Sequence, residues 1–126
     1  MMKKFHKCEI CGKIVQVETD GAGVVMCCGK PMQEMVANNT EAAVEKHIPE
    51  VSVNNNNISV VVGSVLHPAT VEHHIDWIWL DSEKGGQFRY LDPTEEPRAE
   101  FVLAEGDKAK AVYAYCNLHG LWVKEL

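Results

Sequence analysis

The sequence lacks a long apolar run, and no stretch approaches the ~20 residues that a membrane-spanning helix needs. Its first eight residues are basic but have neither the apolar core nor the small-residue cleavage site of a secretory signal. We therefore expect a cytoplasmic protein that does not associate with a membrane.

A stripe of Lys and Arg is also lacking. Residues 37–126 hold seven basic and fourteen acidic side chains, and the whole chain has a net charge of −6. Nucleic-acid binding needs clustered cations that displace counterions. We therefore expect no nucleic-acid partner.

The five cysteines do not fit a disulfide framework. Cys8, Cys11, Cys27 and Cys28 lie within the first 28 residues, and Cys116 stands apart. An odd number without a secretory signal argues against disulfides and favours metal ligands. Because fewer than ~40 residues seldom fold without a disulfide, a metal or a partner, we predict a metal-bound module over residues 1–36.

The spacing of the first four cysteines predicts a tetrahedral S4 site. Two thiolates in Cys8-x-x-Cys11 can bind one ion, and Cys27-Cys28 supplies the second pair, each pair being followed by glycine. Adjacent side chains normally point apart, so the Cys27-Cys28 pair closes such a site only with distorted angles. An S4 site accepts zinc or iron. Spacing alone leaves a structural zinc ribbon open beside an iron centre.

Residues 37–126 have the pattern of a small antiparallel β-sandwich, with short β-type runs separated by turn residues. A run of four Asn predicts a hairpin, because Asn tolerates the left-handed conformation of tight turns. Only 41–46 looks helical, and at most as a short turn. Strands are predicted at 51–53, 58–62, 71–80, 87–91, 98–104, 109–115 and 121–124, after two β-like pieces at 13–17 and 23–26 in the first module.

Histidines recur through the second domain at positions where a metal could use them. Cys116-x-x-His119 can present two donors to one ion from a turn at a strand end. If 71–80 is one strand, His73 and His74 point to opposite faces and can hardly bind the same ion. The face of His73 is the more continuously apolar, so we predict His73 as a ligand and His74 as a solvent-facing neighbour.

Up to four imidazoles and one thiolate exceed the four ligands of a structural zinc site. Such a set suits a five-coordinate iron with an axial thiolate and one open position. Glu45 and Lys46 directly precede His47. Alone they would be the solvated end of a short helix, but beside a ligand they offer a carboxylate for the metal and an ammonium for an anion.

Together these motifs resemble the desulfoferrodoxin family, also called two-iron superoxide reductases, over nearly the whole chain. Two features depart from the family pattern: His74 stands where an aromatic residue is expected, and the Asn run replaces a glycine-rich turn. The resemblance rests on CxxCG (Cys8, Cys11), CCG (Cys27, Cys28), EKHxP (Glu45, Lys46, His47, Pro49), HP (His67, Pro68), His73, and YCNLHG (Tyr115 to Gly120).

The resemblance implies a mainly β protein. Residues 1–36 would form a desulforedoxin-like module with an Fe(Cys)4 centre, and residues 37–126 an immunoglobulin-like antiparallel β-sandwich with a mononuclear iron. Glu45 would be the sixth ligand in the oxidised state, and Lys46 the cation beside the open position. The implied iron ligands are Cys8, Cys11, Cys27 and Cys28 in the first centre, and equatorial His47, His67, His73 and His119 with axial Cys116 in the second.

The function implied is that of a superoxide reductase, which reduces superoxide to hydrogen peroxide by one electron at a ferrous His4Cys centre without evolving oxygen. The resemblance also implies a homodimer that is re-reduced by an external donor such as a rubredoxin. Two other classes remain open from the residues alone. One is an electron carrier that works through the S4 iron, and the other is a zinc-stabilised binding module.

Overall fold

The computed structural model describes residues 4–126, so the first three residues of the predicted module 1–36 lie outside the described part. The chain divides into two compact units, Met1–Val36 and Ala37–Leu126. Both consist mainly of short antiparallel strands. Among the described residues, no helix is long and apolar enough to cross a membrane.

The first unit contains two small antiparallel sheets. In one, β1 lies between β2 and β5, and in the other β3 pairs with β4. Among residues 4–36, the buried apolar side chains besides Cys8 are Phe5 and Met32. So small a core is typical of modules that need a metal to fold. The strands are β1 (Lys4–Lys7), β2 (Ile14–Val17), β3 (Met26–Cys27), β4 (Lys30–Pro31) and β5 (Gln33–Glu34).

The second unit is a seven-stranded sandwich preceded by one helical turn. Its sheets have the strand orders β10-β7-β6 and β12-β11-β8-β9, with antiparallel pairing throughout. The predicted fold class is confirmed. The elements are α1 (Val44–His47), β6 (Pro49–Asn54), β7 (Asn57–Val62), β8 (Ile75–Ser82), β9 (Gly85–Tyr90), β10 (Arg98–Val102), β11 (Ala109–Cys116) and β12 (Gly120–Glu125).

Alternation along the strands builds the core between the two sheets. In β7 every second residue is buried, as expected for a strand with one face on the core. The thiol-bearing end of β11 belongs to the same apolar cluster, so Cys116 is enclosed by it. The cluster contains Ile58, Val60, Val62, Ile75, Ile78, Leu80, Ala99, Phe101, Leu103, Val112, Ala114 and Cys116.

Most predicted strands are found within a few residues of their expected bounds, but two predictions were wrong. Only Met26 of the piece 23–26 belongs to a strand. The strand predicted over 71–80 begins at Ile75, and the residues before it form a loop. The Asn hairpin is confirmed: Asn54 pairs with Asn57, and Asn55 has a left-handed φ of 56°. The short helical turn is confirmed as α1.

Candidate metal centres

Four thiols converge in the first unit. The sulfur atoms of Cys8, Cys11, Cys27 and Cys28 lie within 4.8 Å of one another, and all four residues are free cysteines. Cys11 Sγ is 3.6 Å from Cys27 Sγ, which in turn is 3.9 Å from Cys28 Sγ. A tetrahedron with edges of this length has corners ~2.3 Å from its centre, which is the metal–thiolate distance of S4 sites.

The main chain explains how two adjacent cysteines share this cluster. Cys28 has a φ of 53°, in the left-handed region that residues other than glycine rarely adopt. The sulfur atoms of Cys27 and Cys28 lie 3.9 Å apart. Gly12 and Gly29, which follow the two cysteine pairs, also have positive φ, at 80° and 75°. The distortion expected for the adjacent pair therefore lies in the backbone.

Contacts among the thiols spread their pKa values. The amide of Cys11 donates to Cys8 Sγ at 3.5 Å and lowers the pKa of Cys8 to about 6. Hydrogen bonding with Cys11 raises the pKa of Cys27 to about 12. Thiolates are the form that binds metal, so a cation at the centre would release the remaining protons.

The second unit gathers five further donors from three stretches of the chain, namely α1, the loop between β7 and β8, and the end of β11 with the turn after it. His47 ends α1, His67 lies in the loop after β7, and His73 lies in the loop before β8. Cys116 is the last residue of β11, and His119 lies in the turn that follows.

Strand pairing brings these segments together at one end of each sheet. In the first sheet, the start of β6 pairs with the end of β7 through Pro49 and Val62. In the second, Cys116 at the end of β11 pairs with the first residues of β8 and β12, Ile75 and Gly120. Each donor is therefore only a few residues from a paired strand end, and rigid sheets position loops well.

The four imidazoles stand at the corners of a square. Neighbouring ring centroids are 4.6–5.0 Å apart in the cyclic order His47, His67, His73 and His119, and neighbouring ring planes are 80–81° apart. Across the square, the His47 and His73 centroids are 6.2 Å apart. The ring planes therefore alternate around the square.

The inward nitrogens are spaced for a metal. His47 Nε2 lies 3.1 Å from His119 Nδ1 and 3.2 Å from His67 Nε2. Edges of this length put each nitrogen ~2.2 Å from the centre, close to the ~2.0–2.1 Å of a metal–imidazole bond. His73 Nε2 is buried without a hydrogen-bond partner. Buried polar atoms are rarely left unpaired, so this nitrogen fits a metal ligand.

Cys116 supplies the fifth donor. Its sulfur lies within 4.8 Å of the donor nitrogens of His47, His67 and His73, and 3.9 Å from His119 Nδ1. Burial raises the pKa of the Cys116 thiol, while the backbone amides of His119 and Leu118 donate to the sulfur and act against this rise. Amide donors of this kind stabilise a thiolate and tune a metal bound to it.

Burial keeps the imidazoles of His47, His67 and His73 in the form that binds metal. It is the main cause that lowers the pKa of His47, of His73, and of His67, the last to about 4. A metal ligand must be neutral imidazole, because the protonated ring has no lone pair to offer. At neutral pH these rings therefore need not lose a proton before they bind.

Two of the rings are oriented by their outer nitrogens. The Nδ1 of His47 bonds to Ala43 O at 2.7 Å, and the Nδ1 of His67 bonds to Pro68 O at 2.8 Å. Each Nδ1–H donates to its carbonyl, so Nε2 carries the lone pair that points inward.

Trp122 stacks on His47 at 4.7 Å and donates its Nε1–H to His119 O at 3.1 Å.

Comparison with known proteins agrees with this pair of clusters. The sequence matches the family Desulfoferrodoxin over residues 39–125 and Desulfoferrodoxin, N-terminal domain, over residues 2–35. The chain belongs to the desulfoferrodoxin family. Its four-thiol and His4Cys donor sets match the two iron centres of desulfoferrodoxins, and five donors in the second set exceed the four of a structural zinc site.

Three relatives illustrate the range of similarity. A desulfoferrodoxin from Syntrophotalea carbinolica is 46% identical over 122 residues, which cover 97% of this chain and 95% of the relative. A superoxide reductase from Pyrococcus horikoshii is 41% identical over 100 residues, covering 65% of this chain and 86% of the relative. The crystal structure of the superoxide reductase from Treponema pallidum has a TM-score of 0.83 at 32% identity, covering 99% of this chain and 100% of that one.

In this member of the desulfoferrodoxin family, His73 and His74 both lie in the loop before β8, so the strand alternation used to distinguish them does not apply. Ile75, Ile78 and Leu80 all face the core, since the register of β8 against β11 shifts between Tyr115 and Cys116. His74 instead turns outward: its Nδ1 lies 3.0 Å from Thr70 O, and its Nε2 lies 3.9 Å from Asp76. Its side chain is 13% exposed, so it is not fully solvent-facing.

Glu45 and Lys46 lie in α1 beside the square of imidazoles. Glu45 is exposed, and its carboxylate is not among the donor atoms that the described residues bring together. Lys46 is half-buried. After burial, which is the main cause, the charge of Lys46 also lowers the pKa of His47 and of His73. Its ammonium therefore acts on imidazoles at opposite corners of the square.

Sequence reasoning missed the residues that support the donors. Trp122, Asn117 and the amide of Leu118 all contact the site, and Gly63 packs against the backbone of α1. The sequence did contain one signal for such a supporting residue: Asn117 is a polar residue between the two donors Cys116 and His119. The partners of Gly63 and Trp122 are distant in sequence and could not be read from it.

Proposed function

We propose that this chain is a superoxide reductase. The observation that carries the proposal is the square of four imidazoles with one thiolate, a set of five donors that leaves a sixth position for a small ligand. Relatives named superoxide reductase support it. One superoxide takes up one electron and two protons and leaves as hydrogen peroxide, and no oxygen is evolved.

We propose that the imidazoles of His47, His67, His73 and His119 and the thiolate of Cys116 would hold the second iron. Iron held there as Fe(II) would supply the electron and would leave room for a small anion, because the chain offers it five donors. The Cys116 thiolate pushes electron density toward the metal, as in haem–thiolate sites. Its amide contacts from Leu118 and His119 hold the sulfur in place. We assign the first iron to Cys8, Cys11, Cys27 and Cys28, in the module of residues 1–36.

Lys46 has the role of attracting superoxide and of holding the water that delivers a proton. The chain has a net charge of −6, so the anion needs a local positive field at the site. Four neutral imidazoles and one thiolate leave an Fe(II) site with a net charge of +1, to which the ammonium of Lys46 adds. Local focusing of this kind raises association rates by roughly 10–10³.

Glu45 has the role of closing the site after the reaction. It precedes Lys46 in α1, and its exposed carboxylate would supply a further oxygen ligand to the iron in the oxidised state. A hard carboxylate oxygen binds ferric iron well. Glu45 thereby holds the oxidised site closed to other anions until an electron arrives.

The reaction also needs a partner, because each turnover consumes one electron. We propose a rubredoxin-like protein as the donor, a cytoplasmic location and a homodimer. Stoichiometry supports an external donor, and the family resemblance supports the dimer. Sedimentation of the loaded protein tests the dimer: a mass of about 28 kDa is expected from a 14.1 kDa chain, and 14 kDa would contradict it.

Metal analysis with a visible spectrum tests the function as a whole. We expect two irons per chain and two separate sets of thiolate-to-iron bands in the oxidised protein. Azide or cyanide should perturb only the bands of the His4Cys centre, since only that centre has an open position. No response to either anion would indicate a saturated electron carrier, and zinc in both sites would indicate a binding module.

A further inference from the structure

His73 differs from His47 and His67 in what orients it. His47 and His67 each have an outer nitrogen bonded to a backbone carbonyl. Among residues 4–126, the ring of His73 has no such bond, and its Nε2 is unpartnered. The position of this ring therefore depends on the backbone that carries it.

That backbone is closed into a tight turn by Thr70. Thr70 N donates to His73 O at 3.0 Å, and His73 N donates to Thr70 O at 3.2 Å and lies 3.0 Å from Thr70 Oγ1. Thr70 is itself exposed, so these bonds shape the turn without attaching it to the sandwich.

Asn117 makes the attachment. Its side-chain Oδ1 accepts from His74 N at 2.9 Å, and its Nδ2 donates to Glu72 O at 3.0 Å. Its backbone amide donates to His74 O at 3.2 Å. The two side-chain hydrogen bonds therefore hold the main chain on both sides of His73, in the way that a neighbouring strand would.

We propose that Asn117 is a positioning residue that aligns His73 with the other four donors. It lies between Cys116 and His119, so its own position is set by two ligands. Its side-chain bonds to the backbone of residues 72 and 74 fix the loop that bears a third ligand, His73, relative to Cys116 and His119. Groups that orient a ligand typically change metal affinity by about 10–100-fold when removed.

Iron retention in Asn117→Ala tests this role without measuring turnover. The holoprotein is equilibrated with a ferrous chelator, and the His4Cys iron that remains is measured from its thiolate band after oxidation. We expect its dissociation constant to rise about 10–100-fold. The Fe(Cys)4 band in the same sample is the internal reference and should not change. Retention equal to that of the unmodified chain would overturn the proposal.

A double-mutant cycle with His73→Ala separates positioning from a general structural role. If Asn117 acts through His73, its removal from the His73→Ala protein should change iron retention by no more than about twofold. The full 10–100-fold loss in that background would show that Asn117 acts elsewhere, and would overturn the proposal.

Two further variants distinguish a specific effect of Asn117 from general misfolding of the second unit. Gln87→Ala removes another amide bond to a backbone carbonyl in the same unit, from Gln87 Nε2 to Val102 O at 2.9 Å, and should leave iron retention unchanged. Asn117→Asp keeps the acceptor for His74 N and loses the donor to Glu72 O. Its added charge favours a cation, so weaker retention in this variant supports the role of Asn117, and unchanged or stronger retention counts against it.

The inference rests on the proposed His4Cys site and does not depend on the reaction with superoxide. If the unmodified chain holds no iron in the second unit, the site itself is wrong. If it holds iron and Asn117→Ala retains it equally well, only the role of Asn117 is wrong.

Discussion

Cys116 is the one donor of the second centre that becomes negatively charged when it binds metal. It is fully buried at the end of β11, and burial raises the pKa of its thiol. A cation at the site stabilises the thiolate in return, because a coordinating thiol loses its proton. The four imidazoles stay neutral. Cys116 therefore determines both the charge of the site and the electron density on the iron.

Replacing Cys116 with serine should remove both effects. We expect Cys116→Ser to lose the thiolate-to-iron band of the second centre and to abolish reduction of superoxide, because a serine oxygen donates far less electron density than a thiolate. The absorption of the Fe(Cys)4 centre in the same sample is the control. An unchanged visible spectrum would mean that Cys116 is not the axial ligand.

In the proposed mechanism Lys46 attracts superoxide through its charge, which dissolved salt would screen. We expect Lys46→Ile to slow the second-order reaction with superoxide at low salt, by up to the ~10–10³ that focusing supplies. Its rate should also depend less on ionic strength, because screening has less charge left to act on. Rapid-mixing or pulse-radiolysis kinetics over a salt series measure both.

Lys110→Ile is the matched control for Lys46→Ile. It removes the same charge from an exposed position near the start of β11, at the opposite end of the strand from Cys116. It should keep both the rate and the salt dependence. If Lys46→Ile matched it at low salt, Lys46 would have no part in attracting superoxide.

The strands could be predicted from sequence where one face of a sheet repeats with period two. β7, with three buried residues at alternate positions, is an example. The prediction failed for 71–74, where the apolar pattern seemed to extend β8. That loop is held by Thr70 and by Asn117, more than 40 residues away along the chain. Local periodicity cannot report a partner so distant, although it did lead to His73.

α1 is too short to be stable alone, since one turn of helix does not offset the free energy of its nucleation. The turn after β7 holds it. Glu45 O accepts from Val65 N at 2.9 Å and from Ser64 Oγ at 3.2 Å. Gly63 packs so closely that a Cβ there would lie 2.6 Å from Glu45 O and 2.9 Å from Ile48 O. The positions of the three proposed functional residues of α1 therefore depend on Gly63, a glycine in another segment. These residues are Glu45, Lys46 and His47.

A methyl group at Gly63 should displace α1. We expect Gly63→Ala to lower the free energy of unfolding by about 1–3 kcal/mol, as overpacking does, and to slow the reaction with superoxide because Lys46 moves. Chemical denaturation and rapid mixing measure the two effects. Gly23→Ala is the control, since a Cβ there meets nothing within 4 Å. If the two variants had the same free energy of unfolding, α1 would accommodate the methyl group without loss of stability, and the prediction would be wrong.

The whole molecule consists of two units, each with its own complete donor set. The four thiols lie within Met1–Val36, and the His4Cys donors lie within Ala37–Leu126. The units differ in what stabilises them: the first has a small apolar core, whereas the second has a twelve-residue cluster between two sheets. Loss of metal should therefore affect the first unit more.

Cys27→Ser tests whether the two centres function separately. The sulfur of Cys27 contacts those of both Cys11 and Cys28. Its loss therefore leaves only three thiolates to bind the iron. We expect the Fe(Cys)4 bands to disappear and the iron content to fall from two per chain to one. Reduction of superoxide under single-turnover conditions should continue at nearly the original rate, because the second donor set is intact.

Cys28→Ser should behave in the same way as Cys27→Ser, since each variant removes one of the four thiolates of the first centre. Near-normal single turnover with slow multiple turnover in both variants would place the first centre on the path of electrons from the donor. Loss of single turnover in both would make the first centre obligatory for the chemistry itself. That result would contradict the independence that the two separate donor sets imply, and it would require the reaction to depend on more than the His4Cys site.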